Sequence, residues 1–524
     1  MERAVDILIN IVWSPVLVIG LLLTGILFTF MLRFFQVRYI REMIKLMVKG
    51  EKSDRGISTF QSVALSLAGR VGTGNIVGVS TAIFIGGPGA IFWMWVTAIL
   101  GAATAYIESV LGQLYKREED GEFRGGPAYY MEYGIGGKFG KIFGFIFAVV
   151  TVIAMGLLMP GVQSNAIASS FHNAWGIPYW VVGLGLAILL GLIIFGGVKS
   201  ISKVASTIVP FMALGYILMA LIIIVINITE VPAMFATIFK AAFNMEATFG
   251  GIFGAMIEIG VKRGVYSNEA GQGSGPHAAA AAEVSHPAKQ GFVQSFSVYV
   301  DTLFVCTATA LIILLSGTYN TTDGTTLENG RPSMLYSDDI YIEMPGGDRD
   351  YSGTAMYVQA GVDKAFEGKD YVFDPTFAGI GSQFIAIALF FFAFTTILAY
   401  SYMGETNVSY LTRRMSSGKR KLLMNVLRVA LILATFYGAV KSAELAWDLG
   451  DLGVGLMAWL NLIGIWILFK PALRTYKDYT KQLKEKDSQY ILYEPKEEDA
   501  KNAQFWLHDY PEYLEETGEI KKFR

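Results

Sequence analysis

"SLAGRVGTGNIVGVS", Ser66–Ser80, decides the fold of this chain. The stretch lies in a run that otherwise reads as membrane-spanning, yet it holds Gly69, Gly72, Gly74 and Gly78 beside Arg70 and Asn75. Irregular backbone at membrane depth is tolerated only where it is buried in protein or lines a cavity. The spacing of Gly72, Gly74 and Gly78 does not fit GxGxxG, and no strand precedes it, so a phosphate-binding turn is a poor reading. The better one is a helix unwound near Gly69–Gly74, whose second half opens with free amides at Gly72, Thr73 and Gly74. A helix N-terminus carries roughly half a positive charge and attracts carboxylates. Carbonyls at the end of the first half, at Ala68 and Val71, can instead face a cation. The plainer alternative is that the glycines only let helices pack closely. Their density beside a guanidinium and an amide favours a site.

Composition agrees with a membrane setting. The chain has 524 residues, 53% hydrophobic and only 16% charged, with a mean hydropathy of +0.45. Soluble domains carry roughly 25% charged residues. The formal net charge of −2 suggests no nucleic-acid partner. The one cysteine, Cys306, excludes a disulfide within the chain, and the four histidines show no metal-ligand spacing. The N-terminus lacks a basic segment followed by a cleavage site, so no removable signal peptide is expected.

A spanning helix needs about 20 mainly apolar residues. Eleven windows qualify: 12–34, 59–83, 89–113, 141–165, 177–197, 205–228, 248–275, 291–316, 377–403, 424–442 and 449–470. Basic loops alternate between the sides. They centre on Arg33–Arg55, Lys116–Arg124, Lys199–Lys203, the end of the seventh window (Lys262, Arg263, Lys289) and Arg413–Lys421. The positive-inside rule then puts the N-terminus outside and the C-terminus in the cytoplasm of a cell-membrane protein. The expected organisation is a peripheral first helix with its basic loop (1–58), a first five-helix repeat (59–228), a second (229–470) with an external loop at 317–376, and a cytoplasmic tail (471–524). Paired, glycine-interrupted helices at corresponding positions of two halves point to a transporter with inverted repeats.

The seventh window ends in "GVKRGVYSNEAGQGSGPHAAAAA". Gly260 and Gly264 suggest its break, with the run from Ser267 to His277 at the cytoplasmic mouth. Asn268 and Glu269 read there as cap or gate residues as readily as substrate contacts. His277 and His286 read as surface or interfacial groups. Arg70 costs about 2.5–3.5 kcal/mol at the bilayer centre unless paired. Structural pairing is the first reading and contact with a substrate carboxylate the second. Glu258 is the expected partner, with Glu108 and Asp301 as others; left free, Glu258 could receive a substrate ammonium. Gln163 follows Pro160 and Gly161, and a glutamine turned inward from a kinked helix suits ammonium or amide recognition; a helix–helix hydrogen bond is the alternative. Thr395 and Thr396 could simply bond back to the preceding turn.

"AGRVGTGNIVGVSTAI", "GGPGAIFWMWVTAILG", "GVKRGVYSNEAGQGSGPHAAAAA", "DTLFVCT" and "TTILAYSYMGE" together resemble the alanine or glycine:cation symporter family. The resemblance runs from about residue 10 to 470. It implies an all-α integral membrane protein of LeuT type: eleven helices, one peripheral, then a five-plus-five inverted repeat with broken second and seventh helices. It also implies a pocket between the broken helices, built from Thr73, Gly74, Asn75 and Gln163 and closed by Tyr400, where members often carry tryptophan. Arg70, Glu258 and Gly260 join the candidate substrate set. Departures from the family's pattern fall at Gln272, Gly275 and His277, and at Glu258, where an uncharged residue is usual. A sodium site is implied at Ala68, Val71, Phe392, Thr395 and Thr396. The function so implied is secondary active symport of sodium and a small neutral amino acid, alanine or glycine, into the cell. Another neutral amino acid such as glutamine or serine, or a cation channel, is the alternative. An enzyme is not expected, since neither a nucleophile–base pair nor a metal motif is present. The expected partners are the amino acid, sodium and the lipid bilayer.

Overall fold

The computed structural model describes residues 2–53, 55–119, 121–243, 250–326, 332–337, 342–343, 349–350, 355–367, 379–441, 443–495, 501–518 and 520. Much of the expected external loop 317–376 therefore lies outside the described residues. The chain is mainly helical, and eight helices among the described residues are long and apolar enough to cross a membrane. Short helix α1 (Glu2–Val12) leads into α2 (Pro15–Met31). Helix α3 (Thr59–Arg70), a π turn (Gly74–Gly78) and α4 (Val79–Gly86) together make one interrupted span. Next come α5 (Gly89–Leu114), α6 (Gly137–Ile153), α7 (Met159–Trp175), α8 (Tyr179–Ile194) and α9 (Gly197–Ile226). After α10 (Val231–Phe243), which the hydropathy windows did not include, come α11 (Gly250–Asn268) and α12 (Gly275–Ala281). Helix α13 (Pro287–Tyr299) runs through a π stretch (Val300–Cys306) into α14 (Thr307–Ser316). The last long helices are α15 (Ile380–Thr412), α16 (Ser417–Val440) and α17 (Ala443–Gln482).

Three small antiparallel hairpins qualify the all-α expectation: Arg117–Glu119 with Glu122–Arg124, Asn320–Thr326 with Pro332–Ser337, and Ile342–Glu343 with Arg349–Asp350. All lie in connections, where backbone groups need partners outside a helix.

Local chemistry explains where the first interrupted helix starts and stops. Ser58 accepts from the Gln61 amide at 3.2 Å, and the Gln61 side chain accepts from the Ser58 amide at 3.0 Å. This capping box satisfies two orphan donors of α3. The helix ends after Arg70, at Val71 and Gly72. The second break is displaced from the expected place. Helix α11 runs unbroken through Gly260 and Gly264 to Asn268, and the chain unwinds at 269–274. Gly260 and Gly264 are packing glycines instead: a Cβ on Gly260 would lie 2.6 Å from the Trp93 Cβ, and one on Gly264 would lie 3.1 Å from the Thr97 Cβ. The break uses Gly271 and Gly273, at φ +85° and +84°, conformations glycine adopts without strain.

The surface assignments also change. The run from Ser267 to His277 is buried, as is His286, so neither histidine is interfacial. His277 Nε2 meets Asn407 Nδ2 at 2.8 Å, and His286 Nε2 meets Asp478 Oδ2 at 3.0 Å. Lys262 and Arg263 are not loop charges either, since both pair with Asp451 inside the helical body. Glu51, in the loop before α3, would be raised by burial. The Lys289 ammonium at 2.5 Å and the Ser285 amide and hydroxyl outweigh that and hold it below its ordinary value.

Candidate functional site between the broken helices

The site forms where the two unwound segments meet α13, α15 and α7. The Gly72 amide donates to Asn75 Oδ1 at 2.8 Å, and the Thr73 amide donates to Gln163 Oε1 at 3.1 Å. Two amides expected to be free are therefore held by side-chain oxygens. Gly74 lets α11 approach, since its Cβ would lie 3.0 Å from the Ser267 Cα.

Asp301 ties the segments together. It accepts from Asn75 Nδ2 at 2.6 Å, from Ser267 Oγ at 2.9 Å and from Thr302 Oγ1 at 2.7 Å. Asn75 and Ser267 also reach Cys306 Sγ at 3.3 and 3.2 Å. In the sequence Asp301 reads only as a partner for Arg70, and no local pattern marks it as the junction of both breaks.

Arg70 does not pair with Glu258. Its Nη1 donates to Gln294 O at 3.1 Å, to Gln294 Oε1 at 3.2 Å and to Ser297 Oγ. Its electrostatic neighbours are Glu269, Glu108 and Asp301. Glu108 and Asp301 are the alternatives the sequence offers; Glu269, which reads there as a cap or gate residue as readily as a substrate contact, is the added neighbour. Glu258 is half-buried one turn from Lys262, its electrostatic neighbour on the same helix. Helix α11 places Glu258 and Gly260 well before its break, so the structure does not bring them to this site.

A second oxygen cluster surrounds Thr396. Its hydroxyl oxygen lies 2.7 Å from Ala68 O, 2.9 Å from Phe392 O and 3.4 Å from Val71 O, three acceptors for one proton. Four of the five expected sodium ligands thus converge on one point. Thr395 does not: its hydroxyl bonds to Phe391 O at 2.8 Å and Phe392 O at 3.0 Å and faces Met212 Sδ at 3.8 Å.

On the face that carries Trp13, aromatic rings and an ion pair cover the site. Tyr266 and Trp447 stack with centroids 5.4 Å apart. Arg263 makes two hydrogen bonds to Asp451, each 3.2 Å, and Lys262 Nζ reaches the same carboxylate at 2.7 Å. Tyr400 is buried within electrostatic reach of Tyr266, Glu269 and Asp301.

A buried polar site between two interrupted membrane helices, covered by an ion pair and aromatic rings, fits a membrane transporter and not an enzyme. The sodium:alanine symporter family profile matches residues 1–334 and 354–492, and the chain belongs to that family. YrbD of Bacillus subtilis is 52% identical over 95% of this chain and 96% of its own. The sodium/proton-dependent alanine carrier protein of Bacillus sp. PS3 is 46% identical over 91% of this chain and 99% of its own. The sodium/alanine symporter AgcS of Methanococcus maripaludis is 38% identical over 88% and 93%. A manganese transporter variant from Eremococcus coleocola aligns over 88% of this chain and 94% of its own at 15% identity and a TM-score of 0.45, too low to carry an argument.

Proposed function

We propose that this chain carries alanine, or another small neutral amino acid such as glycine, into the cell together with sodium. The single observation that carries the reading is the convergence of the Ala68, Val71 and Phe392 carbonyls on the Thr396 hydroxyl, which joins the first break to α15. Hard cations take oxygen ligands, and unwound transporter helices supply carbonyls for them. The residues present fit sodium: three carbonyls and a hydroxyl, all buried. A substrate carboxylate would be received at the Thr73 amide, which Gln163 now occupies, with Asn75 and Gly74 beside it and Tyr400 closing the pocket. Arg70 acts first as a structural anchor, through Nη1 to Gln294 and Ser297, while its buried Nε and Nη2 stay available to a substrate carboxylate. The arrangement proposed is LeuT-like: five helices from 59 to 228 and five from 229 to 470 rock about the site.

Sodium-gradient-driven uptake of labelled amino acids by reconstituted protein tests this. Thr396→Ala is expected to raise the half-saturating sodium concentration by roughly ten- to hundredfold, since an unmade buried polar contact costs about 1–3 kcal/mol. Amino-acid affinity at saturating sodium should change less. Thr395→Ala should have a smaller effect, because that hydroxyl turns away. Unchanged sodium dependence in both variants would place the site elsewhere.

The orientation proposed is N-terminus out and C-terminus in. Single cysteines replacing Glu230 and Ser417, both exposed, in a Cys306→Ser background should react with an impermeant reagent from opposite sides. Reaction of both from outside would refute it.

A further inference from the structure

We propose that the cytoplasmic tail is an autoinhibitory latch, which pins the half-helix α12 and holds the inward path shut; the inference rests on the transport reading above. Helix α12 is the short segment after the second break, and inward opening by rocking repeats requires it to move. The end of α5 holds it. Gln113 Nε2 donates to Ala279 O and, at 2.9 Å, to Ala282 O, and Lys116 Nζ donates to Ala282 O at 2.8 Å.

The tail closes over these residues. The Trp506 indole Nε1 donates to Gln113 O at 2.8 Å. The Lys116 ammonium lies 4.2 Å from the Phe505 ring centroid, 5.4 Å from that of Trp506 and 4.6 Å from that of Phe123. Phe505 and Trp506 are fully buried by this docking. Just past the C-terminus of α12, the Tyr493 amide donates to Ser285 O at 2.9 Å, and the Ser285 hydroxyl, whose one proton is shared with Glu51, lies 2.7 Å from Ile491 O. The rim is tied across as well. Arg117 donates to Asn502 O, and Asn502 donates to Tyr133 O, each at 3.0 Å.

The tail therefore grips the C-terminal end of α12, through α5 and through Ser285. It is joined to α17, where Gln482 Nε2 donates to Leu492 O at 2.9 Å, and to the segment before α6. The family profile ends its match at residue 492. The aromatic clamp at 505–506 thus lies beyond the part this chain shares with that profile.

The test uses full-length protein with Ser274→Cys, a near-isosteric reporter at the start of α12, in the Cys306→Ser background. Phe505→Ala with Trp506→Ala is expected to speed labelling of that cysteine from the cytoplasmic side by roughly five- to tenfold, the lower range for coupling between distant sites. Uptake rate at saturating sodium should rise with it, while the half-saturating sodium concentration stays. Unchanged labelling, or slower uptake without faster labelling, overturns the latch. Should the aromatic variant fail to fold, Arg117→Ala with Asn502→Ala at the rim decides: faster labelling supports the proposal and unchanged labelling ends it. If the unaltered protein shows no sodium-driven uptake, the transport reading has failed, and labelling still reports whether the tail holds α12.

Discussion

Asp301→Ala is expected to abolish uptake and to lower the thermal stability of the purified protein more than any other single substitution at the site. Asp301 receives three short hydrogen bonds, from the first break (Asn75), the end of α11 (Ser267) and its own helix (Thr302). Alanine would strand those donors where no water reaches them, since all four residues are fully buried. Each stranded donor costs about 1–3 kcal/mol. Breaking a buried charged network costs roughly 3–5 kcal/mol. Asp301→Asn keeps the shape and one acceptor oxygen, so it should fold better than alanine and still transport poorly. Thermal unfolding in detergent alongside reconstituted uptake checks both. Near-native stability for Asp301→Ala would show that Asn75 and Ser267 do not depend on it.

The second large effect is expected at Asp451. Its carboxylate is buried and faces two cations, Arg263 and Lys262. Asp451→Asn removes the anion and leaves both cations unpaired, which should cost about 3–5 kcal/mol. The Tyr266–Trp447 stack lies under Arg263, whose guanidinium carbon is 5.6 and 5.4 Å from the two ring centroids. Loss of the pair should therefore loosen the cover and slow uptake. Removing the cations as well, with Lys262→Met and Arg263→Leu, should recover part of the stability, because residues in one network deviate from additivity. Strictly additive losses in the triple variant would mean that the three groups act separately.

Much was legible in the sequence because it depends on near neighbours. Apolar runs of spanning length marked most of the helices, although only eight among the described residues are long and apolar enough to cross a membrane, α10 was missed, and the 248–275 window runs into the unwound 269–274. The first break was readable from four glycines beside Arg70 and Asn75. Ala68, Val71, Phe392 and Thr396 are legible as a group in the sequence, because the motifs that carry the resemblance include most of them.

What failed depended on contacts between distant segments. Gly260 and Gly264 look in sequence like Gly271 and Gly273. Only the approach of Trp93 and Thr97 makes the first pair packing glycines, and only positive φ makes the second pair the break. Arg70 was assigned Glu258 because both were lone charges at similar expected depth. Its hydrogen-bond partners are Gln294 and Ser297, more than two hundred residues away. Thr395 and Thr396 are adjacent and chemically alike, yet helical spacing turns one hydroxyl to the first break and the other to Met212. The sequence by itself determined the membrane class, the positions of most of the long helices and the first break, since backbone polar groups in lipid must be satisfied locally. The second break, the partners of Arg70, the Asp451 closure and the grip of the tail on α12 were decided only by the tertiary structure. Each depends on which side chains the packed helices bring within a few ångströms, and no window of neighbouring residues contains that information.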